Sequence, residues 1–597
     1  MNLAKTYQDR ATKHAQKASE LKARYNRLSF IRLVLFGIAV FVSIFLWSLS
    51  GTYLLIFLLL FLPAFFVFVR WHQGIQKEQY FEETLAKING EELTVLGGQY
   101  DFFDAGKNFI DTSHPYTIDL DIFGDYSFFQ YTNRCSTTIG RERLAQYLSQ
   151  TTLADQIRQR QAAVDILRGQ LDWRQDFQAL GRNTADDIRH LQRLKTWLQE
   201  ESFVLNNSRL KAAMLINPFV MLAAILLVLY VIPWQAGLLF LLFPGLIIRQ
   251  TIERVNKTHE QTSHAEKILA TYARLIQHIE DADFPAGLLS DLQNRLKEEG
   301  SQASKGIRQL SYIISQLNVR YNAFAVILNI LGLWDLYWIY RLEKWKASYK
   351  TALPQWFESL AELEALLSLA TTYFNNPDWQ MPQIHSQSLF EATALGHPLI
   401  PAQQRVCNNI HIPTDGHIKL VTGSNMAGKS TLLRTVGLNI VLAMAGAPVC
   451  AKQLSLPLLS VHTSMRTQDA LHESTSSFYA ELKRLKTIIE AVDQEDNIFF
   501  LLDEILKGTN SKDRHTGSKA LIEQLIRSGG AGIIATHDLE LGALEATAGG
   551  AIENLCMEVA VDRGKLSFDY TIKKGVSKSF NATQLMRDMG IRIEEGL

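Results

Sequence analysis

Three short groups of residues in the last third of this 597-residue chain have the types and spacing of phosphate chemistry. GSNMAGKST, residues 423–431, contains Gly423-x4-Gly428-Lys429-Ser430 between the apolar run HIKLVTG and the helical run TLLRTVGLNIVLAMAG. Its glycines let backbone N–H groups from Gly423, Ser424, Asn425, Met426, Ala427 and Gly428 turn inward around phosphate oxygens. The helix entered at Thr431 adds the positive end of its dipole, Lys429 reaches the outer phosphates and Ser430 ligates magnesium. NIFFLLDE buries five apolar residues, Ile498 to Leu502, and delivers Asp503 and Glu504 to the strand end. Asp503 then holds Mg²⁺ directly or through water, and Glu504 polarises an attacking water as general base. IIATHD places His537 at the end of another apolar strand, beside the terminal phosphate. The combination reads as an ATP and Mg²⁺ site with Lys429, Glu504 and His537 catalytic and Ser430 and Asp503 on the metal. The plainer alternatives are an acidic pair that caps a helix and a histidine that is structural.

Positioning these groups requires buried parallel strands alternating with helices, and from about residue 385 the texture changes to short β-rich runs of that kind. The C-terminal third, 385–597, is therefore expected to be an α/β P-loop domain of ABC type. The remainder is expected to be α-helical, in a multidomain chain with membrane hairpins and a helical core and lever.

From Leu33 to Val69 there are 37 residues without Asp, Glu, Lys or Arg, bracketed by Arg32 and Arg70; a second run of 37, Ala212 to Ile248, is bracketed by Lys211 and Arg249. A spanning helix needs about 20 apolar residues. Each run thus fits two helices and a tight turn, at SGT near Ser50 and at IPWQAG from Ile232. Lys5, Arg10, Lys13, Lys17, Lys22, Arg24 and Arg27 precede the first run while the turns are uncharged, which places both termini and the ATPase domain in the cytoplasm of a cell whose inner membrane holds the hairpins. Trp47, Tyr53, Trp71 and Trp234 fall near the expected interfaces. The competing reading is buried core helices, favoured somewhat in the second run by Pro218, Pro233 and Pro244. A third apolar stretch, Tyr321 to Tyr340, carries Asp335 and reads as a packed or membrane-surface helix rather than a span.

Residues 117–205 read as helices, and Ile268, Tyr272, Leu275, Ile276 and Ile279 form one stripe of a long helix leading from the second hairpin, of the kind that is usually core. The expected division is a basic N-terminal helix at 1–29, hairpins at 30–72 and 212–248, a helical core at 73–211, lever helices at 249–384 and the ATPase domain at 385–597. Lys+Arg and Asp+Glu each total 60, so the chain lacks the basic excess of a protein devoted to gripping nucleic acid. Cys135, Cys407, Cys450 and Cys556 are far apart without metal-ligand spacing, as in a reduced cytosolic protein. The polar, basic first 30 residues do not have the pattern of a cleavable signal peptide.

An ABC transporter half is disfavoured because Lys429 and Asp503 are only 74 positions apart and no LSGGQ-like segment precedes Asp503. What precedes it is RTQDALHESTSSFYAEL, and here the chain resembles the DNA mismatch repair MutS family. Ser476, Ser477, Phe478 and Glu481 match that family's Ser-Thr-Phe-x-x-Glu segment; LLDEILKGTNSKD, ATHDLEL, GHPLI and FDYTIKKGVSKSFNATQLMRDMGI match further ATPase elements over 385–592. FFQYTNRCSTTIGRERLAQYLSQ is more weakly similar to the start of the family's core domain. The resemblance implies a homodimer through the ATPase domains, with Ser476 of one copy touching the ATP of the other. It also implies DNA as an alternative partner to the lipid bilayer, in a tethered sensor of mismatched or branched DNA. Against that, the mismatch-reading and connector domains look absent, the second hairpin stands where the family's DNA clamp is inserted, and no helical extension follows Leu597. The FEE at Phe81, which mimics a base-wedging motif, reads as coincidence in a charged helix.

Overall fold

The computed structural model describes residues 2–577 apart from 183–186, 298–301, 323, 425, 467–476, 495–496 and 563–564. Helices Leu3–Leu49 and Gly51–Leu96 form an antiparallel hairpin that turns at Ser50, whose extended backbone ends the first helix and whose hydroxyl caps the second by accepting the Thr52 N–H at 3.3 Å. At 1.5 Å per residue each helix is about 70 Å long, more than twice the ~30 Å hydrocarbon core of a bilayer. The distal half exposes Phe41, Trp47, Leu55 and Leu59. The proximal half is a polar stalk: Lys17 and His14 meet Glu82 at 2.6 and 2.7 Å, and Tyr25 stacks on His72 with ring centroids 4.2 Å apart. Glu82 of the FEE segment is thus committed to joining the two stalk helices, and Phe81 packs beside Leu85, Ile88 and Ala179.

A second pair, Ser208–Tyr230 and the helical run from Trp234, breaks at Val231–Pro233, where proline cannot donate to the helix ladder. Among the described residues, Leu3–Leu49, Gly51–Leu96, Ser208–Tyr230 and Trp234–Glu280 are long and apolar enough to cross a membrane by length and composition, and their apolar windows are largely unburied. The Tyr321–Tyr340 stretch is not one straight helix. Ala325–Gly332 and Trp334–Tyr349 meet at 76° because Leu333 adopts a left-handed φ of 47°.

Between the hairpins lie helices Thr138–Ser149, Ala154–Arg168, Leu171–Gly181 and Ile188–Gln199. Residues 117–126, expected to be helical, instead form a loop. Asp121, Gly124 and Tyr126 all take positive φ there, and Tyr116, Leu120 and Ile122 are buried in the main core. The strut of this region is Ala352–Asn375, buried along nearly its whole length, against which the stripe Ile268, Tyr272, Leu275, Ile276 and Ile279 is also buried as core.

Two mixed sheets follow. The strands are β1 (Gln383–Ile384), β2 (Leu389–Leu395), β3 (Asn408–Pro413), β4 (Ile418–Thr422), β5 (Gln453–Leu456), β6 (Ser460–Ser464), β7 (Ile498–Asp503), β8 (Ala531–Thr536), β9 (Ile552–Asp562) and β10 (Lys565–Lys574). The first sheet runs β1-β5-β2-β3 and the second β10-β9-β4-β8-β7-β6. In the second, all neighbours from β9 to β6 are parallel and only β10 is antiparallel. Every residue of β4, β7 and β8 is buried, which explains their largely apolar sequence, and the one buried cation, Lys419 of β4, is paired with Glu553 of β9.

Helix Lys429–Ala445 joins this sheet to the helical half. A Cβ at Gly437 would lie 2.7 Å from both Leu120 of the 117–126 loop and Leu501 of β7. Asp119 in the same loop accepts the Thr463 hydroxyl at 2.7 Å and the Met465 and Arg466 N–H groups at 3.2 and 3.1 Å. Gly437→Ala is therefore expected to cost about 1–3 kcal/mol by overpacking, read as a fall in thermal midpoint with unchanged helix content.

Candidate functional site

Three neighbouring parallel strands end together. β8 lies between β4 and β7, with Thr422 opposite Thr536 and Asp503 opposite Ala535, so the glycine-rich loop, His537 and Glu504 emerge side by side. Ligands of open α/β sheets gather beyond such carboxyl ends. Gly428 has φ 98° and precedes the first turn of helix Lys429–Ala445, whose N–H groups lack intrahelical partners. Lys429 Nζ curls back over the loop, donating to the carbonyls of Gly423 and Ser424 at 2.8 and 3.0 Å. It stands 3.5 Å from the His537 ring nitrogens.

Glu504 is reached through a left-handed residue, φ 51°, directly after β7, and its N–H donates to Ala535 of β8 at 2.9 Å. That turn aims the carboxylate away from the strand toward His537 Nε2, 2.5 Å from Oε1, and Lys507 Nζ, 3.1 Å from Oε2. The hydrogen bond to His537, with Lys507 behind it, holds the Glu504 carboxyl down at about 2. Burial pulls the Lys429 ammonium below its ordinary value, with Glu504 and Asp503 opposing. A further hydrogen bond steadies the histidine strand end: His515 Nδ1 lies 2.7 Å from Asp538 Oδ2 and ties helix Ser511–Arg527 to the residue after His537.

Ser430 Oγ donates to Asp503 Oδ2, and Asp503 Oδ1 is buried with no hydrogen-bond partner among the described residues. An orphaned carboxylate oxygen beside a serine hydroxyl is a hard-oxygen set suited to Mg²⁺, whose octahedral shell is otherwise filled by water and phosphate oxygens.

Residues 419–589 match the family model for MutS domain V. Over a similar region the chain is 29% identical to the DNA mismatch repair protein MutS of Leptospira interrogans serogroup Icterohaemorrhagiae serovar Lai, across 239 residues and 38% of this chain. It is 31% identical to the MutS of Geobacillus thermodenitrificans over 227 residues, 36% of this chain, and 29% identical to that of Thermotoga maritima over 248 residues, 41% of this chain. The matched part spans 28%, 24% and 30% of the length of those relatives.

Within domain V the structure brings together Gly423, Ser424, Met426, Ala427, Gly428, Lys429, Ser430, Thr431, Asp503, Glu504 and His537 around the ends of β4, β7 and β8. Asn425 and Ser476 lie outside the described residues, as does the C-terminal part of the closing element from 578. Two members of the Ser476 segment have partners in their own copy. A Cβ at Gly508 would meet Phe478 at 2.6 Å, and Glu481 Oε1 accepts the Leu506 N–H at 2.5 Å. Tyr570 was not singled out from the sequence. It lies at an irregularity in the β9/β10 hairpin with φ 51°, stacks on Phe568 at 5.8 Å, and borders the loop so closely that a Cβ on Gly428 would meet its ring at 2.9 Å. A strand-edge tyrosine within FDYTIKK carries no local signal of this; only the hairpin's pairing with β4 brings it over the loop.

A second group that sequence reading missed joins the stalk to the strut. Glu92 meets Arg134 at 2.5 Å, Asn375 donates to Glu92 at 2.8 Å, and Tyr7 donates to Asn375 at 2.7 Å. Burial alone would raise the Glu92 carboxyl, but the Arg134 guanidinium outweighs it and holds the group below the usual range. Both helices of the first hairpin thereby converge on the last residue of Ala352–Asn375, just before β1.

Proposed function

We propose that this chain is a membrane-anchored ATPase of the MutS type, which binds and hydrolyses ATP between two copies of its domain V and passes the resulting motion to lipid-embedded hairpins. The observation that carries this reading is the meeting of Lys429, the Ser430–Asp503 pair and the Glu504–His537 pair at one end of the sheet. Backbone N–H groups of the loop and the helix start bind the phosphates. Lys429, released from the Gly423 and Ser424 carbonyls, follows the outer phosphate charge. Ser430 and Asp503 would hold Mg²⁺, which neutralises phosphate charge when bound. Glu504, ionised across the working range, orients the attacking water and leaves His537 to respond to whether the terminal phosphate is present.

Large apolar side chains exposed around this site support a second copy as the partner. Met426, Tyr479 and Tyr570 are all more than two-fifths exposed beside the loop or the Asp503–Glu504 strand end, an arrangement that favours cover by another surface. The Ser476 segment of that copy would complete each pocket. Four membrane-length helices and the shared hub at Asn375 support the coupling to lipid.

The test is ATP turnover by the full chain in detergent and in liposomes, each with and without heteroduplex DNA. Turnover that responds to lipid and not to DNA is expected. DNA-dependent turnover with salt-sensitive DNA binding would overturn the coupling in favour of a tethered DNA sensor. A chain that stays soluble without detergent would remove the anchor, and no binding at millimolar Mg-ATP would remove the ATPase.

Tyr570 is proposed to stack on the base. Stacking of a base on an aromatic ring is worth about 1–3 kcal/mol, so Tyr570→Ala is expected to weaken ATP binding by roughly 5- to 150-fold while Tyr570→Phe stays near the parent, measured by calorimetric titration.

A further inference from the structure

Helix Ala325–Gly332 is eight residues long, about 12 Å, and cannot span a bilayer. It nevertheless exposes Phe324, Val326, Ile327 and Leu331, and no charged residue occurs between Arg320 and Asp335. An apolar face alone says little. The decisive feature is how its broken end is satisfied.

A helix end leaves carbonyls that water normally serves. Here Asn217, fully buried in the charge-free part of helix Ser208–Tyr230, donates from Nδ2 to the Ile330 carbonyl at 2.9 Å. Leu333 N–H closes on the Asn329 carbonyl at 2.9 Å, and the Asn329 side chain accepts the Asp335 N–H at 3.0 Å, capping the helix on the far side of the break. Two backbone groups freed by the 76° break, the Ile330 carbonyl and the Asp335 N–H, are thus met from within the protein, both by asparagine side chains in apolar sequence. Irregular backbone at membrane depth is tolerated only where it is served in this way. Asn217 is six positions beyond Lys211, so its contact lies about 9 Å inside the charged boundary of the second hairpin. That boundary is marked on the other side by Arg320, which stands 3.6 Å from Asp335 and donates to Asn256 at 2.7 Å.

From this we infer that Ala325–Gly332 is a half-helix inserted into the cytosolic leaflet, with Asn217 fastening it to the second hairpin and lipid acyl chains covering Phe324, Val326 and Ile327. The inference rests on the membrane reading of the hairpins. Its surface is continuous with theirs through the Asn217 contact, and it makes the lever helices, which lead into this segment, touch the bilayer directly.

The test places an environment-sensitive fluorophore on Val326→Cys in the full chain with the exposed thiol removed by Cys407→Ser, reconstituted in phosphatidylcholine–phosphatidylglycerol vesicles. Leu222→Cys on the spanning helix and Tyr312→Cys on helix Ala303–Asn318 serve as references. Quenching of position 326 by shallow doxyl-labelled lipid is expected, together with cobalt quenching at least about threefold weaker than at position 312, as for an apolar face buried ~5–10 Å into the boundary. Position 326 behaving like 312 overturns the inference while leaving the hairpins in place, whereas position 222 also behaving like 312 removes the membrane reading itself. Shielding of 326 from both quenchers would mean protein cover, such as a second copy, and would equally overturn it. Asn217→Leu keeps the volume and removes the donor; it is expected to raise cobalt quenching at 326 at least about twofold, and unchanged quenching would remove Asn217 as the fastening.

Discussion

Glu504→Gln is expected to bind Mg-ATP as tightly as the parent and to turn it over roughly 10²- to 10⁴-fold more slowly, the range lost when a positioned acid–base group is removed. The amide keeps the shape and one acceptor but loses the charge that His537 and Lys507 now share. Nucleotide binding followed by equilibrium titration, with single-turnover hydrolysis measured beside it, separates the two effects. Copies trapped in the ATP-bound state should accumulate as dimers. Equal hydrolysis by parent and variant would remove Glu504 from its role, and Lys429→Ala, which should weaken binding itself, provides the contrast. Because the folded carboxyl is depressed to about 2, its pairing with His537 contributes stability that is in place above the ordinary carboxylate range and is lost only as pH falls toward that value. A fall in turnover between pH 7 and 5 would therefore have to come from a group other than Glu504.

Glu92→Ala is expected to destabilise the chain by about 3–5 kcal/mol, because it leaves the Arg134 guanidinium buried without its counter-charge. The measurement is the thermal midpoint of the full chain in detergent, with Glu92→Ala, Arg134→Ala and the double variant forming a cycle. Interaction energy near zero would show that the pair is incidental. The larger interest is transmission. Asn375 receives the Tyr7 hydroxyl from one stalk helix and donates to Glu92 of the other, so under the proposed coupling a tilt of Ala352–Asn375 would pass to both hairpin helices through these bonds. Tyr7→Phe removes the first of these contacts without an unpaired charge. It is expected to leave basal ATP turnover unchanged while reducing its response to lipid, whereas an unchanged lipid response would place the coupling elsewhere.

The FEE segment illustrates why family-like strings need structure. Phe81 and Glu83 match a base-wedging pattern, yet Phe81 packs beside Leu85, Ile88 and Ala179, and Glu82 between them is held by Lys17 and His14 across the stalk. The 117–126 loop is the converse case. It falls within the 117–205 stretch read as helices, but Leu120 packs where Gly437 of helix Lys429–Ala445 leaves room, and Asp119 fixes the end of β6. Periodicity reports that residues will be buried, not which body buries them.

Local patterning was legible from residues alone. Glycines around Lys429, a carboxylate pair after five apolar residues and a histidine after another apolar run each mark a strand end within a few positions. Charge-free runs of 37 residues likewise mark helices long and apolar enough to cross a membrane. Only the tertiary structure decided that β8 lies between β4 and β7, which sets His537 between Lys429 and Glu504. It alone placed Tyr570 at the loop, joined Glu92 to residues 42 and 283 positions away, and put Asn217 on the carbonyl of Ile330. The physical reason is the same throughout. Backbone geometry and hydrophobic period act over a few residues and are written locally, whereas the pairing of buried polar groups depends on which distant surfaces meet, and nothing in the spacing along the chain encodes that meeting.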